Sequence, residues 1–231
     1  NAGGVYHSRY DTFEHHTRFV DPGLVYGKVL SETAGPLVIQ AADAELPLNT
    51  PDTFAAAVGQ YLQDVKKLAD DKRGAAEKQA RMLADKAGAR AVVSTMSFGP
   101  PEPLKQVPKF DFGPLDSALN RLNGSASAYD AALSAHGASL TPAKRRQLLT
   151  MMQSIGETLL VDQGLPGRDW YKNMITAPGR FTGYGAKTLP GVREAIEEER
   201  FDDAVRYIGL TAGARDSYSK RLDDATALLN G

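Results

Sequence analysis

The residues best able to do chemistry lie in one stretch near the beginning of the chain, Gly4-Val5-Tyr6-His7-Ser8-Arg9-Tyr10-Asp11-Thr12-Phe13-Glu14. It combines two tyrosines, a histidine, an arginine and two carboxylates. His7 is a candidate metal ligand, because a neutral imidazole nitrogen binds zinc; from the residue alone, the alternative is a structural or simply exposed histidine. Zinc takes three or four protein ligands, and the other histidines show no ligand spacing with His7 (His15, His16 and His136). We therefore expect most partner ligands of His7 to lie outside this chain.

No other catalytic motif accompanies this stretch. Glu14-His15-His16 differs from the His-Glu-x-x-His pattern, in which both histidines share one helix face with a glutamate base. The sequence has no glycine-rich phosphate loop, no Ser-His-Asp order and no nucleophile elbow. The absence of cysteine excludes thiolate catalysis and disulfides. We therefore expect no catalytic residue and no complete active site in this chain.

The composition and net charge of the chain indicate which kinds of partner and environment to expect. A net charge of −1 argues against nucleic acid or an anionic membrane as the main partner. No apolar run approaches the roughly 20 residues that a membrane-spanning helix needs. A hydrophobic share of 42% is ordinary for a globular protein, so a packed core is expected.

The first long element that follows the His7 stretch is a predicted helix over residues 22–42. Asp21-Pro22 predicts its start, because aspartate caps free backbone amides and proline is tolerated at the first helical position. Apolar residues on most sides of this helix predict that it is buried, and Gly35-Pro36 predicts a kink or an interruption. Residues 43–50 form a connector, and we place the domain boundary there, between residues 1–45 and 46–231.

Beyond the connector, residues 51–231 are predicted to contain four long amphipathic helices. Thr50-Pro51 and Thr141-Pro142 mark two helix starts. Another helix carries the clearest heptad seam in the chain, formed by Leu115, Leu119, Leu122, Ala126, Tyr129 and Leu133. No segment shows convincing strand alternation. The predicted fold class is therefore all-α, with residues 46–231 forming an antiparallel up-down four-helix bundle.

A long Gly/Pro-rich loop near residues 162–190 interrupts the helical pattern. Loops of this length inside compact domains are normally functional or disordered. Disordered segments are poor in aromatic residues, whereas this loop contains Trp170, Tyr171, Phe181 and Tyr184. We therefore predict an ordered, functional loop.

Several of these segments, taken together, resemble a known family. They are residues 6–14, Asp21-Pro22, and a run from Leu165-Pro166-Gly167-Arg168 through Thr176-Ala177-Pro178 and Tyr184 to Leu189-Pro190-Gly191. The combination resembles the C-terminal third of the glutamate carboxypeptidase II family (folate hydrolase, N-acetylated-α-linked acidic dipeptidase), which is related to the transferrin receptor. The resemblance implies that residues 1–45 are a short helical tail of an α/β zinc peptidase domain. It implies that residues 46–231 are a helical, transferrin-receptor-like dimerisation domain.

The resemblance also implies roles for single residues. His7 matches the last ligand of a co-catalytic two-zinc site, whose other ligands and general-base glutamate lie upstream in the family. Tyr6 and Tyr184 match tyrosines that contact the α-carboxylate of the released residue; packing in the core is the alternative role for each. Two zinc ions, a peptide substrate and an N-terminal peptidase domain are thus expected in the full-length protein. This chain alone is expected neither to retain zinc nor to hydrolyse peptides.

One position departs from the family pattern. The glutamate-preferring enzymes have a lysine just before the tyrosine matched by Tyr184, and it pairs with the side-chain carboxylate of the substrate. Here the position is Gly183, which has no side chain to donate a charge-assisted hydrogen bond. Whether Arg180 or Lys187 substitutes for the lysine is left open by spacing. We expect an aminopeptidase or carboxypeptidase without a firm preference for C-terminal glutamate.

Three functions compete at this point. The first is a dimerisation and pocket-completing domain of a zinc exopeptidase, acting as a homodimer. The second is a non-enzymatic receptor or adaptor on the transferrin receptor scaffold, against which the histidine at position 7 argues. The third is a free-standing helical bundle, which has no reason to keep the Tyr-His block together with the loop. The family implies a secreted, periplasmic or cell-surface location.

Overall fold

The computed structural model describes residues 4–85, 102–183 and 185–231. Within these residues the chain is mostly helical, as predicted, with one small two-stranded sheet. It divides into two compact units, Asn1–Leu48 and Asn49–Gly231. Across the described ranges, no helix combines the length and the hydropathy of a membrane span.

The first unit contains short helical turns and one longer helix. Its elements are α1 (Phe13–His15), a π-helical turn (His16–Val20), a 3-10 turn (Pro22–Leu24) and α2 (Val25–Ala42). The buried Asp21 holds the start of α2, because its carboxylate accepts hydrogen bonds from the backbone N–H groups of Tyr26 (3.0 Å) and Gly27 (2.8 Å). Burial by itself raises the pKa of Asp21. These hydrogen bonds and the nearby His16 outweigh burial, so the pKa lies below the ordinary carboxyl value.

Helix α2 differs from the prediction in its burial. It is assigned as one helix through Pro36, and none of its residues is buried. Its large apolar side chains are exposed: Val25, Tyr26, Val29, Leu30, Leu37, Val38 and Ile39. The expectation of a buried helix is therefore wrong for this structure. An apolar pattern predicts that a helix needs a surface to pack on, but it does not show that the same chain supplies that surface.

The second unit contains the longer helices and the sheet. Its α-helices are α3 (Pro51–Ala84), α4 (Gly113–His136), α5 (Pro142–Gln153), α6 (Pro190–Glu197) and α7 (Phe201–Asn230). Two 3-10 turns, Gly137–Ser139 and Ile155–Leu159, follow α4 and α5. Strands β1 (Thr176–Pro178) and β2 (Ala186–Thr188) pair antiparallel, with Thr176 opposite Thr188 and Pro178 opposite Ala186. The purely all-α prediction missed this hairpin, because three-residue strands are too short to show an alternating pattern.

Helix α3 packs antiparallel to α4. Lys66 pairs with Asp116 at 2.5 Å, and Arg73 reaches the carbonyl of Pro108, near the start of α4. At the other end of α3, the ring of Phe54 lies 4.7 Å from the ring of Tyr218 in α7.

Helices α4 and α7 run parallel to each other, because the rings of Phe110, just before α4, and Phe201, at the start of α7, lie 6.0 Å apart and Arg121 pairs with Asp216 further along both helices. Theirs is the most extensive contact between the described elements.

The predicted heptad seam of α4 faces the interior of the second unit. Leu115, Leu122, Ala126 and Tyr129 are buried, and Leu119 and Leu133 are partly buried. Thr141 caps α5 as expected, because its hydroxyl accepts the N–H of Lys144 at 3.3 Å. The period of three and four residues thus predicts the inward face of α4 correctly.

A cation lies inside the contact between α4 and α7. Arg215 is fully buried, and its Nη1 donates to the carbonyl of Leu115 at 3.4 Å. Its Nε and Nη2 have no hydrogen-bond partner among the described residues. Burial lowers the pKa of Arg215 to about 10, although the nearby Asp116 carboxylate opposes this shift. Arg215 therefore stays charged at neutral pH, and desolvating it costs part of the stability that the surrounding apolar contacts provide.

The long loop is tied to α6 by a buried ion pair. Nη2 of Arg168 lies 2.5 Å from Oε2 of Glu194, and both side chains are more than nine-tenths buried. Nη1 of Arg168 donates to the carbonyl of Pro178 at the end of β1. The other carboxylate oxygen of Glu194 accepts the backbone N–H of Arg180 at 2.9 Å. One carboxylate on α6 therefore fixes two points of the loop.

Close packing of glycine fixes the other end of the loop. A Cβ atom added to Gly191 would lie 2.1 Å from the ring of Tyr207, so only glycine lets the start of α6 approach α7. The hydroxyl of Tyr207 donates to the carbonyl of Gly164 at 2.6 Å. The Pro190-Gly191 pair therefore allows α6, α7 and the beginning of the loop to meet.

The buried pair between Arg168 and Glu194 makes the first prediction. The substitution E194A leaves a buried guanidinium without its carboxylate, so we expect the free energy of unfolding to fall by about 3–5 kcal/mol. The matched control is E197A, which removes the partly exposed pair with Lys187 and is expected to cost about 1 kcal/mol or less. Urea unfolding followed by circular dichroism measures both values. Equal losses in the two variants would contradict a special role for the buried pair.

The second prediction concerns pH and Asp21. Because the pKa of Asp21 is lower in the folded chain, its stabilising effect is present above the unfolded carboxyl pKa of about 4. The effect is lost as the pH falls through the folded pKa. We expect D21A to speed hydrogen exchange of the Tyr26 and Gly27 amides at pH 6, whereas wild type approaches the variant in acid. The control D43N, at the other end of α2, should leave these amides protected.

Candidate functional site

His7 lies in a strained turn before α1. Its φ of 61° is in the left-handed region, which costs a non-glycine residue roughly 1 kcal/mol or more. The backbone N–H of His7 donates to Oδ2 of Asp11 at 3.1 Å and stabilises this turn. Its imidazole stacks on the ring of Tyr6, with 3.9 Å between centroids and 19° between planes. The structure thus brings Tyr6 and His7 into direct contact, with both side chains exposed.

The residues around His7 do not fit a zinc ion by themselves. Zinc needs at least three protein ligands, and no described group of three His, Cys, Asp or Glu residues could hold a metal. Asp11 is close to His7 in sequence, but its carboxylate accepts the His7 amide. A zinc ion bound by the His7 imidazole therefore requires ligands other than the described residues of this chain.

Gly183, the position that departs from the family pattern, lies at the tip of the β1–β2 hairpin. Tyr184 itself falls outside the described residues, so its predicted role stays a prediction. Its neighbour Gly183 has a φ of 58°, and a Cβ atom added there would meet nothing within 4 Å. A lysine at this position would have room, but its backbone would be strained. The conformation of the tip therefore suits the glycine found here.

Neither of the two candidate substitutes for the missing lysine is an isolated cation. Lys187 places its Nζ 2.9 Å from both carboxylate oxygens of Glu197. Arg180 places its Nη1 3.1 Å from Glu198 and stacks over the ring of Phe181. Carboxylates of α6 and its C-terminal end therefore neutralise both cations.

The exposed aromatic residues of the loop do not account for its order. Trp170 is 69% exposed and Phe181 is 80% exposed. The buried apolar residues of the loop are Leu165, Met174, Ile175 and Ala177. Order therefore comes from these side chains and from the Arg168–Glu194 pair, which sequence reasoning missed. The sequence did contain a signal for this pair. Glu194 and the acidic run Glu197-Glu198-Glu199 follow the loop, and carboxylates are the expected partners of its basic residues.

Comparison with known proteins identifies part of the chain. Residues 110–223 match the family model of the transferrin receptor-like dimerisation domain. The match includes α4, α5, the hairpin and α6, together with most of α7. The buried seam of α4, the parallel α4–α7 pair and the Arg168–Glu194 pair all lie within it.

Similarity to curated proteins extends over more of the chain. A probable glutamate carboxypeptidase of Arthroderma benhamiae is 26% identical over 215 residues, 90% of this chain and 24% of that protein. The probable glutamate carboxypeptidase LAMP1 of Arabidopsis thaliana is 26% identical over 196 residues, 85% of this chain and 23% of that protein. Aminopeptidase NAALADL1 of Rattus norvegicus is 22% identical over 193 residues, which are 83% of this chain and 21% of that protein.

The chain thus spans about a quarter of the length of these relatives. The names of these relatives agree with the resemblance found in the Tyr-His block and the long loop, and that resemblance is confirmed. Residues 110–223 therefore match the transferrin receptor-like dimerisation domain family, within a chain similar to glutamate carboxypeptidase-like peptidases.

Proposed function

We propose that this chain is the dimerisation domain of a co-catalytic zinc exopeptidase of the glutamate carboxypeptidase family, and that it forms a homodimer. The match of residues 110–223 to a dimerisation domain carries this proposal. The printed names of the relatives, two carboxypeptidases and an aminopeptidase, favour a peptidase over a non-enzymatic receptor. The chain alone has no peptidase activity in this proposal.

The first unit is proposed to be the end of the peptidase domain. Its helix α2 carries exposed apolar side chains along its whole length, including Val29, Leu37 and Ile39. Such a surface is typical of a helix that packs on another part of a fold. The missing N-terminal peptidase domain is the proposed partner for it, and His7 is proposed to contribute one ligand to a two-zinc site completed by that domain.

The hairpin loop is proposed to complete the substrate pocket. Tyr6 and Tyr184 are the proposed contacts for the α-carboxylate of the released residue. The conformation of Gly183 and the internal pairs of Arg180 and Lys187 support an enzyme without a firm preference for glutamate. This is because no lysine stands beside Tyr184 to bind a side-chain carboxylate.

We also propose that the second unit is an up-down bundle of four helices. Its members are α3, α4, α5 and α7, and the contact between α4 and α7 is the most extensive among them. Hydrogen bonds from Arg221 in α7 to the carbonyl of Met151 (3.2 Å) and the hydroxyl of Ser154 (2.9 Å) support the inclusion of α5, because they hold its C-terminal end on α7.

The third prediction tests self-association directly. Light scattering over a dilution series should give twice the 24.8 kDa mass of the chain, independent of concentration through the micromolar range. A mass of 24.8 kDa at every concentration would contradict a domain that dimerises on its own.

The fourth prediction concerns zinc in the full-length protein. We expect about two zinc ions per chain by metal analysis, and loss of at least one in the variant H7A, because a site with one ligand fewer binds more weakly. The control H136A removes an exposed histidine at the end of α4 and should retain both ions. A full-length protein that folds and contains no zinc would support the receptor or adaptor function instead.

The same full-length preparation also tests substrate preference. Peptides ending in glutamate and in an apolar residue should be cleaved with kcat/KM values within roughly tenfold of each other, since one charge-assisted contact is worth about that factor or more. Much faster cleavage of glutamate-terminated peptides would show that another cation replaces the lysine.

A further inference from the structure

A pocket of about 400 Å³, called here the β2 pocket, lies between the β1–β2 hairpin and the start of α6. Its lining comes from the hairpin turn, from β2 and from the first turn of α6: Thr182, Gly185, Ala186, Lys187, Thr188 and Arg193. Two of these side chains are cations and none is a carboxylate. The charges on the wall of the β2 pocket are therefore positive.

The two cations of the β2 pocket differ in their partners. Lys187 is neutralised, because both carboxylate oxygens of Glu197 lie 2.9 Å from its Nζ. Arg193 bonds to an uncharged residue instead. Its Nε donates to the backbone carbonyl of Thr188 at 3.0 Å, and its Nη2 donates to the Thr188 hydroxyl at 2.9 Å. Within the described ranges, Arg193 is thus held in place without a carboxylate partner.

Other cations that line pockets do not share this property. Each of them has a carboxylate oxygen within 3.1 Å: Arg121, Arg180, Arg200 and Lys220. For these residues the fold supplies both members of an ion pair. For Arg193 the fold positions the guanidinium and leaves the place of the anion open to the pocket.

The geometry of Arg193 suits an anion with two oxygens. Its bonds to Thr188 leave the end of the guanidinium, Nη1 with the second N–H of Nη2, available. A carboxylate binds such an end through two parallel hydrogen bonds. Thr188 is itself fixed, because it pairs with Thr176 across the hairpin and the N–H of the next residue donates to the carbonyl of Ile175 at 2.8 Å. This preorganisation lowers the entropic cost of binding.

We propose that the β2 pocket is a carboxylate-binding site in which the end of the Arg193 guanidinium holds the anion. The site lies at the base of the hairpin, where Thr188 pairs with Thr176, and not at its tip. The inference goes beyond the proposed dimerisation function and does not depend on it. The carboxylate belongs either to a small molecule or to a side chain elsewhere in the full-length protein, and the chemistry at Arg193 is the same in both cases.

Titration of the 231-residue chain with sodium acetate tests the site. Sodium chloride at equal ionic strength is the blank, and the backbone amide resonance of Thr188 is the reporter. We expect a saturable shift with a dissociation constant of roughly 1–30 mM, which two charge-assisted hydrogen bonds allow. R193Q should weaken binding by about tenfold or more. The matched control R146Q removes an exposed arginine of α5 and should change the constant by less than about twofold.

A conservative variant separates recognition by the guanidinium from charge alone. R193K keeps the positive charge but cannot form two parallel hydrogen bonds, so it should bind acetate several-fold more weakly than wild type. Circular dichroism establishes that the variants fold. A shift that does not saturate, equal losses in R193Q and R146Q, or wild-type affinity in R193K overturns the site. A chain that proves to be monomeric overturns dimerisation and leaves this site standing.

Thermal unfolding of the full-length protein distinguishes the two sources of the carboxylate. If a side chain of the protein fills the β2 pocket, R193Q lowers the melting temperature relative to R146Q and added acetate has no effect. If a small molecule fills it, R193Q melts like R146Q, and acetate raises the melting temperature of wild type but not of R193Q. Either result supports the site, and a full-length protein that shows neither effect overturns it.

Discussion

The carboxylate of Glu194 is the constraint on which the arrangement of the long loop depends. It binds the guanidinium of Arg168, which precedes β1, and the backbone N–H of Arg180, which follows β1 in the turn of the hairpin. A buried ion pair contributes less net stability than well-packed apolar residues of the same size. Its hydrogen-bond geometry is directional, however, so it selects one loop conformation where apolar contacts would accept several.

That constraint links the loop to the helices. Glu194 lies in α6, and Gly191 at the start of α6 packs directly on Tyr207 of α7. Tyr207 in turn binds the carbonyl of Gly164 at the beginning of the loop. The loop therefore begins on α7, through Tyr207, and ends at the start of α6, which packs on the same tyrosine.

Much of the helical scaffold is predictable from the sequence because its signals are local. The seam from Leu115 to Tyr129 repeats at helical spacing, and Thr141-Pro142 combines a cap with a proline at the first helical position. These features depend on residues a few positions apart. The parallel pairing of α4 and α7 depends on residues about 100 positions apart, as in the contact of Arg215 with Leu115, and no local pattern reports it.

The candidate site likewise has features that the sequence predicts and features that only the fold shows. Residues 6–14 are recognisable as a block, and Tyr6 and His7 do lie in contact. The left-handed backbone of His7 and its bond to Asp11 are not visible in residue types alone. Likewise, the sequence alone leaves Lys187 and Arg180 as possible cations for a substrate carboxylate. In the fold, Lys187 pairs with Glu197 and Arg180 pairs with Glu198. Spacing alone could not choose between these possibilities, because the partners lie 10 and 18 residues further along the chain.

These pairings bear on what the hairpin tip can recognise. An ion pair already satisfied within the chain must be broken before its cation can bind a substrate carboxylate, and that loss offsets much of the new interaction. Gly183 offers no cation, and the largest exposed side chain described at the tip is Phe181, which is apolar. The chemistry at this tip therefore favours apolar contact over charge pairing. If the hairpin lines a substrate pocket, that preference arises from α6, whose carboxylates hold the nearby cations away from the substrate.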